Sequence, residues 1–142
     1  EVAQKLGADL TLISENRDPL PKLMDLTQGL GAGVVFEASG SPAAAVSGLR
    51  MLRPAGEMIL VGIYPEPIPV DATHQMVRQM KSIKGSYGGA PLDWDRVLSL
   101  MAARKLNVAP LISNILPLER ASEGFEAVLR KEALKILLRP NP

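Results

Sequence analysis

The stretch Gly31–Pro42, GAGVVFEASGSP, decides the fold of this 142-residue chain. A short apolar run, Val34–Phe36, stands between glycine signals and predicts a strand buried on both faces, as in parallel sheets. Ser41 is a favoured helix N-cap and Pro42 suits the first helical position, so the strand should pass straight into a helix. The exit consists of small residues, and at such strand ends an open α/β sheet lets a ligand approach the backbone.

Similar elements surround this stretch on both sides. The pattern predicts further strands over Asp9–Ile13, Glu57–Ile63 and Ser82–Tyr87. Helices are expected from Asp18, over 42–52 and from Asp71. A polar loop is expected over 14–17 and a tight turn over 53–56. Strands that alternate with helices in this way predict a doubly wound parallel sheet.

After Gly88 the alternation stops. A helix is expected from Pro91, a short strand at Leu111–Ile112, another helix from Pro117 to Arg130 and a last strand over 133–138. The first helix, Glu1–Gly7, has a stop signal but no capped start, and we expect the chain to be a piece of something longer. We therefore predict two parts, 1–88 and 89–142, of which the second is of mixed α+β type.

Composition restricts the class of protein. The chain is 46% hydrophobic and 22% charged, with net charge +1, values typical of a globular domain. Scattered charge gives no clustered basic face for nucleic acid or an anionic membrane. No apolar run reaches the roughly 20 residues of a membrane helix, and no basic-then-apolar leader is present. The absence of cysteine excludes disulfides and thiolate metal sites and suits the cytoplasm.

Several catalytic motifs are missing. The glycines at 29, 31 and 33 lead into a strand instead of following one, so they are not the G-x-G-x-x-G turn of a dinucleotide fold. Neither a Tyr-x-x-x-Lys pair nor a G-x-S-x-G nucleophile elbow occurs. One histidine without cysteine cannot supply the usual three ligands of a catalytic zinc.

Three single residues have a functional and a structural interpretation. His74, the only histidine, is best read as an ordinary residue in the first turn of a helix. Glu37 lies in a strand expected to be largely buried, and a carboxylate hydrogen-bonded to nearby backbone is the favoured interpretation. Lys135, alone in the apolar run 133–138, is either an outward strand residue or an anion ligand, and its sequence context favours the former.

The predicted site is the edge where three parallel strands end. These ends read Ala38-Ser39-Gly40, Val61-Gly62-Ile63 and Gly85-Ser86-Tyr87. Doubly wound folds bind ligands along this edge, and small residues would let a ring or ribose lie on the backbone. The glycines also permit turns and close helix packing, and spacing alone does not decide between the two roles.

Six stretches in this order resemble the zinc-dependent medium-chain alcohol dehydrogenase family, nearest its polyol (sorbitol) and threonine dehydrogenase branches: KLGAD at 5–9, GVVFEASGSP at 33–42, LRPAGEMILVGI at 52–63, SIKGSYGG at 82–89, PLISNILPLERASEGFEAV at 110–128 and ALKILL at 133–138. The resemblance implies that 1–88 is the later part of an NAD(P)-binding Rossmann domain without its first two strands. Residues 89–142 would be the C-terminal segment of the catalytic domain.

The resemblance also implies roles for residues. Ala38, Ser39 and Gly40 would pass close to the coenzyme riboses. The backbone of Val61 and Ile63 would hold the nicotinamide carboxamide, with Gly62 allowing the ring to approach. Gly85, Ser86 and Tyr87 would close over the nicotinamide, and Lys135 would reach the pyrophosphate as a point charge. Asn114 stands where many members of the family carry His, and it is assigned no role.

The function implied is hydride transfer between a secondary alcohol or polyol and NAD or NADP. Zinc would be bound outside this chain, which should be inactive alone and hold no catalytic or metal-binding residue. The edge strand 82–87 would pair between subunits of a homo-oligomer, and the missing first strand would leave Val34 and Phe36 exposed. Two alternatives stay open: a zinc-free quinone or enoyl reductase, and a non-catalytic module that dimerises.

Overall fold

Strand β1 (Ala32–Glu37) lies at one edge of a three-stranded parallel sheet. The computed structural model describes residues 2–13 and 18–140. In chain order the elements are helix α1 (Val2–Lys5), α2 (Leu20–Leu26), β1 (Ala32–Glu37), α3 (Pro42–Met51), β2 (Leu52–Leu60), a π-helical turn (Ala72–Val77), β3 (Ser82–Gly85), α4 (Pro91–Ala102), a 3-10 turn (Ala109–Leu111), β4 (Ile112–Pro117), a second 3-10 turn (Leu118–Arg120), α5 (Ala121–Leu129) and β5 (Lys135–Arg139). The prediction of an α/β protein with parallel sheets is confirmed.

Two compact units divide the chain. One consists of Leu12–Gly88 and contains the sheet β1-β2-β3. The other combines the residues up to Thr11 with those from Gly89 onward and contains the parallel pair β4-β5. The residues up to Thr11 therefore group with the later unit, whereas the sequence assigned them to the earlier part.

A small core lies under one face of the three-stranded sheet. Helix α3 begins as the sequence predicts, because the Ser41 side chain accepts a hydrogen bond from the Ala44 amide at 3.3 Å. Its inner face joins β2 in the buried cluster Ala45, Leu49, Leu52 and Met58. Gly48 allows this packing, since an added Cβ would lie 3.0 Å from Val35 and 3.2 Å from Met58.

The opposite face of the sheet is open. We expected β1 to be buried on both faces, and this is wrong: Phe36 is 71% exposed and Val34 is exposed as well. Side chains alternate along a strand, so Val35 packs on the core while its two neighbours point away. The exposure of Val34 and Phe36 that the family resemblance implied is confirmed.

The expected strand at Asp9–Ile13 is also wrong. These residues form no strand, and Ile13 is 81% exposed. A strand exists only when its N–H and C=O groups pair with a neighbour, and no neighbour is found among the described residues. The predicted loop at 14–17 lies outside them.

Other strand and helix boundaries differ from the predicted ones. The expected turn at 53–56 is part of β2, where it forms an irregularity between the pairs Ala32–Leu52 and Val34–Glu57. Ala55 takes a positive φ of 56° there and donates its amide to the Gln79 carbonyl at 2.8 Å. Strand β4 is longer than predicted, and the helix expected from Pro117 begins as α5 after a 3-10 turn.

No helix in the described part of the chain is both long and apolar enough to span a membrane.

Candidate functional site

The three strands of the first unit end side by side. In the register, Glu37 is level with Leu60, and Leu60 with Gly85. The backbone continues this alignment past the strands, because Val61 and Gly62 both donate their amides to the Glu37 carbonyl, at 2.8 and 3.0 Å. Ser86 donates to the Leu60 carbonyl at 2.9 Å. We call the surface formed by 38–40, 61–63 and 85–87 the strand-end shelf.

Two glycines bring the first two segments of the shelf into direct contact. Gly40 has φ 72°, a left-handed conformation that favours glycine. A Cβ on Gly62 would overlap the Gly40 nitrogen and lie 2.6 Å from the Gly40 Cα and 2.8 Å from Glu37 Oε2. Both positions therefore require glycine for packing, the structural role that the sequence left open beside ligand binding.

The Glu37 carboxylate lies beneath this contact and is only 5% exposed. It accepts hydrogen bonds from the Ser39 amide at 2.9 Å and the Gly40 amide at 3.1 Å. The Ser39 hydroxyl and the Tyr64 phenol donate to it as well. The favoured interpretation of Glu37, a carboxylate satisfied by nearby backbone, is confirmed and extended by two hydroxyl groups.

The pKa shifts of Glu37 and Tyr64 are both consistent with a hydrogen bond between the two side chains. Burial by itself would raise the pKa of Glu37, but the hydrogen bonds from Ser39, Tyr64 and Gly40 outweigh it and hold the pKa below 4.5. Burial, the hydrogen bond to Glu37 and its negative charge together raise the pKa of Tyr64 to about 12. The pair is therefore an ionised carboxylate and a neutral phenol at neutral pH.

The sequence analysis assigned no role to Tyr64, which begins the proline-rich stretch 64–69. A signal was present, because a buried acid needs donors and Tyr64 directly follows a shelf segment. Only the fold shows that the chain turns back towards Glu37 after Ile63.

The outer surface of the shelf is accessible. Tyr87 is 92% exposed, and Val61 and Ile63 are exposed too. A Cβ on Gly85 would meet nothing within 4 Å. Among the described residues, nothing bonds to the Val61 carbonyl or the Ile63 amide. One is an acceptor and the other a donor, the two kinds of group that a carboxamide can pair with.

Nine of the ten predicted site residues thus lie together in the first unit. Lys135 belongs to the other unit, where it is exposed as the first residue of β5 and pairs with Ile112. There it borders an apolar cavity of about 250 Å³ between α5 and β5, with Phe125 and Ile136.

His74 has an ordinary structural role. Asp71 caps the π-helical turn by accepting from the His74 amide at 2.9 Å, and its second oxygen lies 2.8 Å from the His74 ring. Within 2–13 and 18–140, no group of three or more His, Cys, Asp or Glu could hold a metal ion.

Comparison with known proteins identifies the family. The model of the zinc-binding dehydrogenase family matches residues 1–103. The chain belongs to this family. Within this family, it is 32% identical over 140 residues to L-threonine 3-dehydrogenase of Bacillus velezensis, covering 98% of the chain and 40% of that protein. It is 30% identical to sorbitol dehydrogenase of Halalkalibacterium halodurans, covering 97% of the chain and 40% of that protein.

A solved structure gives the same family resemblance in three dimensions. An alcohol dehydrogenase of Thermotoga maritima superposes with a TM-score of 0.88 at 28% identity, over 99% of this chain and 40% of the other. The chain thus spans about 40% of the length of the relatives it matches.

Proposed function

We propose that this zinc-binding dehydrogenase chain supplies the nicotinamide side of a coenzyme site. The enzyme would transfer a hydride between a secondary alcohol or polyol and NAD or NADP. The observation that carries the proposal is the strand-end shelf, where three parallel strands present small residues and two free backbone groups along one edge. The names of its relatives, dehydrogenases of threonine and sorbitol, support oxidoreduction.

Each shelf segment would have its own task. Ala38, Ser39 and Gly40 would support the riboses. The Val61 carbonyl and the Ile63 amide would bind the carboxamide and so fix which face of the ring meets the substrate. Gly85–Tyr87 would cover the ring.

Zinc, in this proposal, is held by residues outside the chain. When bound it would polarise the alcohol oxygen as a Lewis acid. The chain has one histidine and no cysteine, so it cannot provide the usual three-ligand set. We therefore expect the chain alone to be inactive, whether in the cytoplasm or as a purified protein. A zinc-free reductase with the same shelf is the rival, and metal analysis of a full-length protein would separate the two.

We also propose that copies associate through the outer edge of residues 82–87. Strand β3 pairs only with β2 in the described part of the chain, so its other edge has unpaired N–H and C=O groups. Such edges invite pairing with another strand.

Titration of the chain with NADH, followed by calorimetry, tests the coenzyme proposal. Gly85→Val would place a side chain in the open space of the shelf, and Gly33→Val is its matched control at the opposite end of the sheet. At Gly33 an added Cβ meets only the flexible Arg53 side chain, at 3.4 Å.

The native chain and Gly33→Val should bind NADH with the same Kd, and Gly85→Val about tenfold more weakly, equivalent to about 1.4 kcal/mol. The absence of binding heat for the native chain would favour a non-catalytic dimerising module. Oxidation of sorbitol or threonine by the chain alone would refute its expected inactivity.

A further inference from the structure

Glu37 is the one charged side chain that is buried among residues 2–13 and 18–140. Buried carboxylates are costly unless each oxygen is hydrogen-bonded. Here four donors reach the two oxygens: the Ser39 amide, the Ser39 hydroxyl, the Gly40 amide and the Tyr64 phenol. An ionised carboxylate is acceptor-only and has about four lone-pair sites, so these donors saturate it.

The donors come from both neighbouring parts of the shelf. Ser39 and Gly40 belong to the segment after β1, whereas Tyr64 directly follows the segment 61–63 after β2. The main chain of Glu37 adds to this link, because its carbonyl accepts the amides of Val61 and Gly62. A single residue thereby connects two loops that also meet where Gly40 lies against Gly62 and Ile63.

We propose that Glu37, with Tyr64, is a positioning residue that locks the two loops together and so preforms the coenzyme-binding shelf. The inference rests on the proposed function. Ordering a loop at the moment of binding weakens affinity, and a loop that is already fixed avoids this cost. The Val61 carbonyl and the Ile63 amide can bind a carboxamide only when their backbone is held still. The bonds to Glu37 come from the amides of Val61 and Gly62 and from the phenol of Tyr64, which directly follows Ile63.

The negative charge of Glu37 allows the positioning role to be distinguished from a direct electrostatic effect on NADH binding. NADH is an anion, so removal of a nearby negative charge should by Coulomb's law strengthen its binding. Loss of the lock should weaken binding instead. Glu37→Gln removes the charge and turns an NH2 donor towards other donors, so the two effects predict opposite results.

Two variants test the lock, each with a control. Tyr64→Phe removes one donor and keeps the ring, and Glu37→Gln keeps the shape of the side chain. Asp71→Asn is the matched carboxylate-to-amide control, because Asp71 caps the π-helical turn and bonds to His74 and Gln75 instead of to shelf residues. Val35→Ala, in the core, reports what reduced stability alone does to binding.

Amide hydrogen exchange provides a readout without coenzyme. We expect exchange at Gly40 and Gly62 to accelerate at least about tenfold in Tyr64→Phe and Glu37→Gln, relative to core amides of the same variant, which report global unfolding. Calorimetry should show about tenfold weaker NADH binding in both variants, and native affinity in Asp71→Asn and in folded Val35→Ala.

The possible failures are distinguishable. If the native chain binds NADH but Glu37→Gln and Tyr64→Phe bind it equally well or more tightly, the positioning role is overturned and the coenzyme site stands. Unchanged relative exchange at Gly40 and Gly62 overturns the lock in the same way. If the native chain does not bind NADH at all, the proposed function itself fails, and the positioning role for coenzyme fails with it.

Discussion

At the scale of single residues, the site depends on close backbone contact around Glu37. The sequence marks the small residues at the strand ends, but the contact between Gly40 and Gly62 joins positions 22 residues apart. Glycine is needed at 62 because of what lies against it, since its φ is not positive. At Gly40 both reasons apply, because its φ is positive and the Ile63 backbone lies against it.

We predict that Gly62→Ala destabilises the first unit by about 1–3 kcal/mol, the usual cost of overpacking a filled site. The atoms that a Cβ would strike are mainly backbone atoms of Gly40, which cannot rotate away. Urea unfolding measures the change. Gly85→Ala is the control and should stay within about 0.5 kcal/mol of the native chain, because its Cβ enters open space. Equal stability of the two variants would contradict the close contact.

A second prediction concerns Tyr64 at alkaline pH. The folded-state pKa is raised from 10.0 to about 12, so between these values the folded state keeps a proton that the unfolded state loses. The stabilisation from Tyr64 should be complete below pH 10.0 and should disappear as pH rises to about 12. Tyr64→Phe should lack this component.

The measurement is the difference in unfolding free energy between the native chain and Tyr64→Phe across that range. Lys81, whose pKa is lowered by burial, titrates in both proteins and cancels in the difference. A difference that does not change with pH would show that the phenol does not donate to Glu37 in solution.

At the scale of elements, strand formation follows the availability of a partner. Val34–Phe36 and Asp9–Ile13 have similar sequence signals, yet only the first forms a strand, because β2 lies beside it. Helix starts depend on local chemistry, and two were predicted correctly, since Ser41 and Asp71 both cap as expected. The helix expected from Pro117 begins only at Ala121. Strand pairing is non-local, so a single segment cannot reveal it.

The outer edge of β3 is the place where we predict self-association. Ser86 donates inward to Leu60, and N–H groups alternate along a strand, so the Gly85 amide faces outward. Gly85→Pro should remove this donor and weaken self-association about tenfold or more, whereas Gly85→Ala keeps the N–H and should associate like the native chain. Sedimentation velocity over a concentration series measures both, and identical behaviour would place any interface elsewhere.

At the scale of the whole molecule, each unit exposes apolar side chains beyond what isolated surface residues explain. In the first unit Val34 and Phe36 lie on the open face of the sheet, and in the second Trp94 and Leu98 are exposed on α4. In both units, apolar side chains of the kind that predicted the strand and the helix are present, but these side chains face solvent. Large exposed apolar patches mark interaction surfaces or aggregation hazards.

We predict that Phe36→Thr lowers binding of the dye ANS to the chain and raises the temperature at which it aggregates. Its stability should change by less than about 0.5 kcal/mol, because Phe36 is 71% exposed and threonine suits a strand. Val77→Thr is the control, a substitution at a 74% exposed site off the sheet. Equal dye binding by both variants and the native chain would show that the open face is not accessible in solution.

The sequence by itself determined the α/β class, the main helices and strands of the first sheet and the small residues of its strand ends. These follow from local periodicity, capping and turn chemistry, which operate over a few neighbouring residues. Only the tertiary structure decided that Asp9–Ile13 stays unpaired, that 53–56 belongs to β2, and that Tyr64 returns to Glu37. Each of these depends on which distant segment lies alongside, and that is set by the packing of the whole unit.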